Sequence, residues 1–286
     1  MTSFTHGLDI LLQLLRSLDR ENRPRVDQSI IDRIEKLKIS VGMSAGSSAT
    51  DEQGLVPSDS EQKFDAAEAQ ASASATDQGD QEVRLAALRE KVLVCTKCAH
   101  LAEFRHSVVF GVGNPNADLM FVGEAPGADE DMRGEPFVGR AGELLTRIIE
   151  TMGFTRNTVY IANVLKCRPD MPKGSSGNRP PTPEEMQTCL PYLRAQIEII
   201  EPKVMVALGG IAMRGLFGTS EPMKSLRGRW HSFGDIPVMA TFHPSYLLRN
   251  QALSEKRKVW GDMLLVLERL QAPITQRQRN FFLTKS

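Results

Sequence analysis

The chain has 286 residues, of which 41% are hydrophobic and 24% are charged, and its formal net charge at pH 7 is zero. This length and composition allow a real core in one large or two modest domains. The longest nearly uninterrupted apolar run, Val204–Met213, is too short to cross a bilayer, and the N-terminus lacks the basic start and cleavage site of a secretion signal. We therefore expect a soluble, cytoplasmic, globular protein that makes no membrane contact.

Charge is distributed unevenly along the chain. Residues 1–80 contain 8 basic and 14 acidic residues, a net charge of −6, whereas residues 81–286 carry +6. A basic region can meet a polyanion, but a surplus of six is also common in proteins that never contact nucleic acid. Charge alone therefore favours no particular function.

The N-terminal 80 residues contain two different compositions. Apolar residues recur at helical spacing over residues 5–18 and 28–39, so we expect a helical segment at 1–40 that forms a small helical hairpin or a docking element. Residues 41–80 are rich in Ser, Ala, Gly and acidic residues and contain one Lys. Because this composition cannot bury enough apolar surface to offset chain entropy, it predicts a disordered acidic linker.

From residue 81 onward, helical and strand patterns alternate. A helix over 81–94 is predicted to start the domain and to end at the first cysteine pair. Predicted strands cover 118–122, 158–164, 203–208 and 236–242, and predicted helices cover 140–152, 183–200, 210–217 and 254–270. This alternation indicates an α/β fold, a three-layer α/β/α sandwich with a central, mostly parallel sheet, over residues 81–271. The loops at 123–139, 163–180 and 243–249 follow strands and should converge on one ligand site.

The domain is organised around Met120–Gly142, MFVGEAPGADEDMRGEPFVGRAG. An apolar strand ends there at Gly123, and glycines in the following loop let the backbone approach a ligand closely. The spacing matches no dinucleotide fingerprint, and no Gly-Lys-Ser/Thr follows. The stretch predicts a flat, uncharged ligand, and the alternative is a tight connection between a strand and a helix.

The chain contains four cysteines, Cys95, Cys98, Cys167 and Cys189, and the first two form a C-x-x-C pair directly after a helix. In a cytosolic chain, such a set indicates metal ligation, and four thiolates hold either zinc or a [4Fe–4S] cluster. A zinc ribbon normally shows two close pairs. The separation of Cys167 from Cys189 by 22 positions favours iron–sulfur, although on spacing alone these two could be ordinary buried cysteines.

Two further polar residues follow predicted strands. Asn163, in ANVLKCRP, carries an amide that can donate and accept on one edge of a base, although such an Asn is more often a turn former. His243 opens HPSYLLR. A lone His is usually structural, whereas this motif offers a hydrogen-bond donor, phosphate contacts and an apolar wedge in one loop.

These loops resemble those of the uracil-DNA glycosylase superfamily, and most closely its family 4, the iron–sulfur branch. The resemblance covers about residues 84–270 and joins GEAPGADED, PFVGRAG, ANVLKCRP, TPEE and HPSYLLR in the family's order, with all four cysteines. It implies a [4Fe–4S] cluster held by those cysteines and uracil-containing DNA as the substrate. The implied activity is hydrolysis of the N-glycosidic bond of a flipped uracil, which leaves an abasic site in base excision repair.

The resemblance also implies roles for residues of the base pocket. His243 would donate to uracil O2 as negative charge develops, and Glu124 resembles the residue that positions or polarises the attacking water. Asn163 would read the N3–H and O4 edge of uracil. Phe137 would stack on the ring, and Glu130 resembles the residue that blocks a thymine 5-methyl group.

The remaining implied contacts concern the neighbouring loops. Ala125 belongs with the uracil-binding residues. In HPSYLLR, Leu247 would be the wedge that fills the space left by the base, while Ser245 and Arg249 would hold backbone phosphates. The C-terminal tail, residues 272–286, contains two aromatics without the spacing of a clamp-binding peptide, so we expect it to pack on the domain. The alternative is that a repair or replication protein binds through the N-terminal helices or this tail.

One departure from family 4 lies between its third and fourth cysteines. The piece DMPKGSSGNRPP is longer than usual and about as long as in a related branch that crosslinks covalently to uracil sites through a His. Residues 175–179 contain no His, so we expect ordinary turnover, with Asn178 helping to place water. The alternatives are a covalent uracil-DNA trap and a non-catalytic DNA-binding or polymerase-associated module with a structural cluster. We expect a monomer.

Overall fold

The structure, a computed structural model, describes residues 79–171 and 177–283. The predicted N-terminal helices lie outside these residues, as does the predicted linker up to residue 78. Residues 79–93 form helix α1, so residues 79 and 80 belong to this helix and not to the linker. The helix predicted over 81–94 is therefore present with slightly different bounds.

Short helices and strands alternate along the rest of the described chain. The further helices are α2 (Ala99–Phe104), α3 (Ala128–Arg133), α4 (Arg140–Met152), α5 (Pro183–Ile200), α6 (Gly210–Phe217), α7 (Met223–Leu226), α8 (Pro244–Arg249), α9 (Leu253–Arg269) and α10 (Gln276–Arg279). The strands are β1 (Val112–Gly113), β2 (Leu119–Gly123), β3 (Tyr160–Asn163), β4 (Val204–Leu208), β5 (Trp230–Phe233) and β6 (Ile236–Thr241). In this part of the chain, no helix is both long and apolar enough to cross a membrane.

The described strands form one sheet in the order β1-β3-β2-β4-β6-β5. The four central strands are parallel, and β1 and β5 pair antiparallel at the two edges. Residues of β2, β3 and β4 are buried throughout, as expected of parallel strands covered on both faces. At the carboxyl ends of β2 and β3, Gly123 lies directly beside Asn163 in the ladder.

Helices cover both faces of the sheet. Side chains of β2 alternate, so that Met120 and Val122 join one apolar cluster and Leu119 and Phe121 join the other. The first cluster includes residues of α1, α5 and α6, and the second includes residues of α4 and α9. The predicted three-layer α/β/α sandwich with a mostly parallel sheet is therefore confirmed.

Local sequence explains why the longest helix of the domain starts where it does. The Thr182 hydroxyl accepts from the Glu185 N–H at 3.2 Å, and the Glu185 carboxylate accepts from the Thr182 N–H at 2.8 Å. Pro183 occupies the first turn, where its missing N–H costs nothing. This capping box fixes α5, which carries Cys189 one turn further on.

The described part of the C-terminal tail, residues 272–283, packs back onto the domain. The Trp260 indole N–H donates to the Gln278 carbonyl at 2.6 Å, and the Phe281 ring meets Trp260 edge-on at 5.5 Å between centroids. The Arg257 guanidinium donates to the carbonyls of Arg279 and Phe281 at 2.9 and 2.8 Å. These contacts agree with the expectation that the tail packs on the domain.

Candidate active site and cysteine centre

Loops that follow β2, β3 and β6 meet residues 178–180 in one cleft of about 530 Å³ at the carboxyl edge of the sheet. We call it the cleft. Of the predicted site residues, its wall contains Glu124, Ala125, Glu130, Phe137, Asn163, Asn178, His243, Ser245 and Arg249. The structure therefore brings together the predicted catalytic and uracil-binding residues and all but one of the predicted DNA contacts.

His243 is held as a neutral hydrogen-bond donor. It caps the start of α8, where its Nδ1 accepts from the Ser245 N–H at 3.2 Å and lies 2.8 Å from the Ser245 hydroxyl. Because Nδ1 accepts from the main chain, the ring proton must sit on Nε2. Burial lowers the pKa of His243 to about 4, helped by Arg249 and opposed by Glu130. At neutral pH the ring is therefore uncharged, with one N–H available to a ligand.

Asn163 presents an unpaired acceptor. Its side chain is 2% exposed, and its buried Oδ1 has no hydrogen-bond partner among the described residues. A Cβ at Gly123 would lie 2.3 Å from this oxygen and 2.5 Å from Phe137 Cζ, so only glycine fits there. An orphaned buried acceptor is costly unless a ligand supplies a donor. Asn163 is thus arranged to receive an N–H from a bound molecule.

Phe137 forms an aromatic wall beside these two groups. Its ring lies 5.6 Å from the His243 ring between centroids, at an interplanar angle of 32°. Its backbone φ is +55°, a left-handed conformation that a residue other than glycine adopts only when its surroundings impose it. The wall offers a flat apolar surface on which a planar ring can stack.

Glu130 has a structural task that sequence reasoning missed. One carboxylate oxygen accepts from the N–H groups of Val138 and Gly139, each at 3.0 Å, and the other accepts from the Gly127 N–H at 3.0 Å. These bonds join the first glycine loop to the turn that carries Phe137. Glu130 therefore shapes the cleft as well as lining it.

Glu124 lies in the cleft wall directly after β2. Its carboxyl is half-buried, and burial raises its pKa above the ordinary value. A carboxylate with a raised pKa is a better proton acceptor than one in bulk water. The position suits a group that orients or deprotonates a water molecule.

Leu247 does not line the cleft, so its assignment as a wedge stays a prediction. Ser245 and Arg249 are four residues apart on α8 and share its cleft-facing side. Leu247 lies on the opposite side of the same short helix, is 5% exposed, and lines a separate apolar pocket with Leu144 and Trp260. The helix, which sequence analysis described as a loop, turns this side chain into the domain.

Arg179 is a cleft residue that sequence reasoning missed. Its guanidinium donates to the Glu185 carboxylate at 2.7 Å and to the Asp170 carbonyl at 2.7 Å. Burial acts to raise the pKa of Glu185, but hydrogen bonds from Arg179 and His100 hold that pKa at about 2. His100, Asp170 and Glu185 cluster at metal-ligand distances, yet Arg179 already supplies the positive charge. Only its place between the third and fourth cysteines could have pointed to Arg179.

The four cysteines line a single small pocket of about 20 Å³, which we call the cysteine pocket. The Arg105 guanidinium donates to Cys167 Sγ at 3.1 Å, and the Lys166 N–H donates to Cys189 Sγ at 3.3 Å. Burial raises the pKa of both thiols, that of Cys189 to about 11. Four such sulfurs become thiolates together only around a cation, so the donor set fits a thiolate metal centre.

Lys166 connects the cysteine pocket to the cleft. Its side chain is 1% exposed, and its ammonium donates to the Asn163 carbonyl at 2.9 Å and to the Gln196 side chain. Burial lowers the pKa of Lys166 to about 8, while the nearby thiols of Cys189 and Cys167 act in the other direction. One buried cation thus contacts the main chain of Asn163 and is influenced by the charge of two of the four cysteines.

Comparison with known proteins places this arrangement in a family. The model of the uracil DNA glycosylase superfamily matches residues 110–264. A type-4 uracil-DNA glycosylase of Thermotoga maritima is 47% identical over 179 residues, covering 61% of this chain and 88% of the relative. One from Archaeoglobus fulgidus is 42% identical over 176 residues, covering 58% and 84%. A type-5 enzyme of Pyrobaculum aerophilum is 29% identical over 191 residues, covering 55% and 80%. The chain therefore belongs to the uracil-DNA glycosylase superfamily and to its type-4 branch.

Proposed function

We propose that this protein is a uracil-DNA glycosylase, which takes a flipped uracil into the cleft and hydrolyses its N-glycosidic bond in base excision repair. The observation that carries this proposal is the pairing of a neutral His243 donor with the unpaired Asn163 acceptor in one cleft. Uracil presents an N3–H donor and carbonyl acceptors on its edge. These groups complement the two protein groups.

Recognition precedes chemistry. The Asn163 Oδ1 accepts from uracil N3–H, and the amide nitrogen of the same side chain donates to O4. Phe137 stacks on the ring. Cytosine carries an acceptor at N3 and a donor at N4, so the same amide opposes it and a buried polar group would be left unpaired.

Bond cleavage places negative charge on the departing uracil and positive charge on the deoxyribose. His243 Nε2–H donates to uracil O2, where the negative charge accumulates, and its neutral state keeps the proton on the protein. Glu124 orients a water whose oxygen bonds to C1′ as the C1′–N1 bond breaks. One proton of that water passes through the Glu124 carboxylate to solvent, the departing uracil anion takes up a proton from solvent, and free uracil and an abasic site result.

The DNA backbone is held beside the cleft. Ser245 and Arg249, on the cleft-facing side of α8, contact phosphates that flank the flipped nucleotide. Ser245 also fixes the His243 ring through its main-chain N–H. One short helix therefore couples phosphate binding to the orientation of the uracil O2 donor.

We propose that the cysteine pocket holds a [4Fe–4S] cluster with Cys95, Cys98, Cys167 and Cys189 as ligands. The four thiolates supply its coordination, and the cluster supplies a structural link between the start of α2, the end of β3 and α5. Anaerobically purified protein should be brown from thiolate-to-iron charge transfer. Elemental analysis that finds stoichiometric zinc without iron or sulfide would refute this assignment.

The activity is tested with a uracil-containing oligonucleotide and an alkali step after incubation. Strand scission after alkali is the result expected of a monofunctional glycosylase. An alkali-stable protein–DNA adduct would indicate a covalent trap, and unchanged DNA would indicate a binding module. The same oligonucleotide with thymine in place of uracil is the matched control.

A further inference from the structure

The turn at residues 136–139, which we call the stacking turn, holds the aromatic wall of the cleft in a strained conformation. Phe137, at its centre, has a φ of +55° and is 6% exposed. A Cβ added at Gly142 would lie 1.9 Å from the Phe137 carbonyl oxygen, so the turn packs directly on the first turn of α4. A left-handed phenylalanine persists only when neighbouring groups impose it.

Two oppositely charged side chains, Arg156 and Glu130, form hydrogen bonds to the two ends of this turn. The Arg156 guanidinium donates to the Pro136 carbonyl at 2.7 Å and to the Phe137 carbonyl at 3.1 Å. The Glu130 carboxylate accepts from the N–H groups of the next two residues, each at 3.0 Å. The carbonyls before the bend and the N–H groups after it are therefore held by charge-assisted hydrogen bonds, which are stronger than neutral ones.

Arg156 reaches the stacking turn from outside the site. It lies between α4 and β3, is half-buried, and also donates to the Thr146 hydroxyl at 3.4 Å. Of the described residues, those that line the cleft do not include Arg156. Its guanidinium binds two carbonyls and one hydroxyl, so its contacts act on the shape of the backbone.

We propose that Arg156 is a positioning residue for uracil, which sets the stacking face of Phe137 by holding the two carbonyls of the strained turn. This inference rests on the proposed function of the cleft. Without the guanidinium, the turn can relax towards ordinary backbone angles, and the ring leaves its place beside His243. A displacement of about 1 Å at a reacting site can cost about 100-fold in rate.

The test is a double-mutant cycle with Arg156→Ala, Phe137→Ala and the double variant. Single-turnover release of uracil from an oligonucleotide should fall about 100-fold for Arg156→Ala. Because Arg156 acts through Phe137, the double variant should be no slower than Phe137→Ala alone. Free uracil, added as a competing product, should also bind Arg156→Ala up to about tenfold more weakly.

A lysine variant sharpens the test. Arg156→Lys keeps the charge but lacks the planar fork, so its rate should lie between those of wild type and Arg156→Ala. If Arg156→Ala does not fold, the same cycle with Arg156→Lys gives the answer. The matched control is Arg194→Ala, which removes one exposed charge from α5, on the face of the sheet opposite α4. This variant should keep the wild-type rate.

Two results would overturn the inference. Rate losses that multiply in the double variant would place Arg156 in a role independent of Phe137, as would wild-type affinity of Arg156→Ala for free uracil. Failure of the proposed function looks different, because wild-type protein would then release no uracil at all. Binding of free uracil to wild type and Arg156→Ala still tests the stacking turn in that case, and the absence of binding to both would overturn its role.

Discussion

The cleft and the cysteine pocket differ in whether their polar atoms already have hydrogen-bond partners. The cleft has a volume of about 530 Å³ and keeps the buried Asn163 Oδ1 unpaired within the described structure. The cysteine pocket has a volume of about 20 Å³, and donors from Arg105 and Lys166 already meet the sulfurs of Cys167 and Cys189. An open site with unmet hydrogen bonds suits a ligand that enters and leaves. A closed site with donors in place suits a resident group.

This difference assigns substrate specificity to the cleft and a contribution to stability to the cysteine pocket. In the cleft, an unpaired acceptor lowers the stability of the empty protein and is satisfied only by a ligand that carries the matching donor. In the cysteine pocket, N–H donors stabilise negative charge on sulfur whether or not DNA is present. Substitutions in the cleft should therefore change rates, and those beside the cysteine pocket should change stability.

The largest effect is expected from His243→Ala. Removing a donor aimed at developing charge typically costs about 100- to 1000-fold in rate. Single-turnover excision should fall by that amount, while affinity for uracil-containing DNA, measured by fluorescence anisotropy, should stay near the wild-type value. Equal losses of rate and affinity would instead assign His243 to packing or docking.

The second-largest effect is expected on recognition of the hydrogen-bonding edge of the base. Asn163→Asp replaces the amide donor with an acceptor, which leaves buried groups unpaired at roughly 1 to 3 kcal/mol each. Uracil excision should fall sharply, and slow release of cytosine should appear, best in mismatched or single-stranded DNA where flipping is easiest. A near-wild-type uracil rate with no cytosine release would show that Asn163 is only a turn residue.

The sequence predicted those parts of the fold whose signals are local. Helix α5 begins at Pro183 as expected, because Thr182 and Glu185 form a complete capping box within four residues. The four central strands were also predicted, because parallel strands that are buried on both faces appear in the sequence as short apolar runs. The edge strands β1 and β5 were missed, and β1 consists only of Val112 and Gly113.

Other features depend on contacts between distant residues, and no local pattern encodes them. The left-handed Phe137 is held by Arg156, which lies 19 positions further along the chain. The direction of Leu247 depends on α8 being helical, which its six residues are too few to indicate. The resemblance named the cleft residues through their order in sequence, but not the side chains that hold their backbone.

Lys166→Met tests the link between the two sites. The substitution keeps much of the side-chain length but leaves the Asn163 carbonyl and the Gln196 oxygen without their buried donor. The free energy of unfolding should fall by roughly 1 to 3 kcal/mol. The matched control is Lys203→Met, since among the described residues the side chain of Lys203 forms an exposed ion pair with Asp118 and its loss should change stability by less than about 1 kcal/mol. Equal urea midpoints for the two variants would contradict a special role of Lys166.

A smaller effect is expected from acidification. The folded pKa of His243 is about 4, below the ordinary value of 6.5, so between these values the unfolded chain binds a proton that the folded protein does not. Stability contributed by the neutral ring is therefore present above pH 6.5 and is lost as the pH falls towards 4. Between pH 7 and 5 the loss should be about 2 kcal/mol. His243→Gln should show a correspondingly flatter dependence in urea melts, and identical slopes would mean that the ring is not protonated on unfolding.

The smallest effect is expected from deletion of residues 1–78. The residues of both sites lie between Cys95 and Arg249, so a chain that starts at Gly79 should keep its wild-type single-turnover rate and its iron content. A chain that starts after residue 93 is the informative contrast, because it also loses Leu85 and Val92, which are buried in the core beside the cysteine pocket. Burying such side chains contributes about 1.5 to 3 kcal/mol each, so this longer deletion should lower the melting temperature and release iron. A folded, iron-loaded chain from Gly79 that fails to excise uracil would show instead that the N-terminal segment takes part in the reaction.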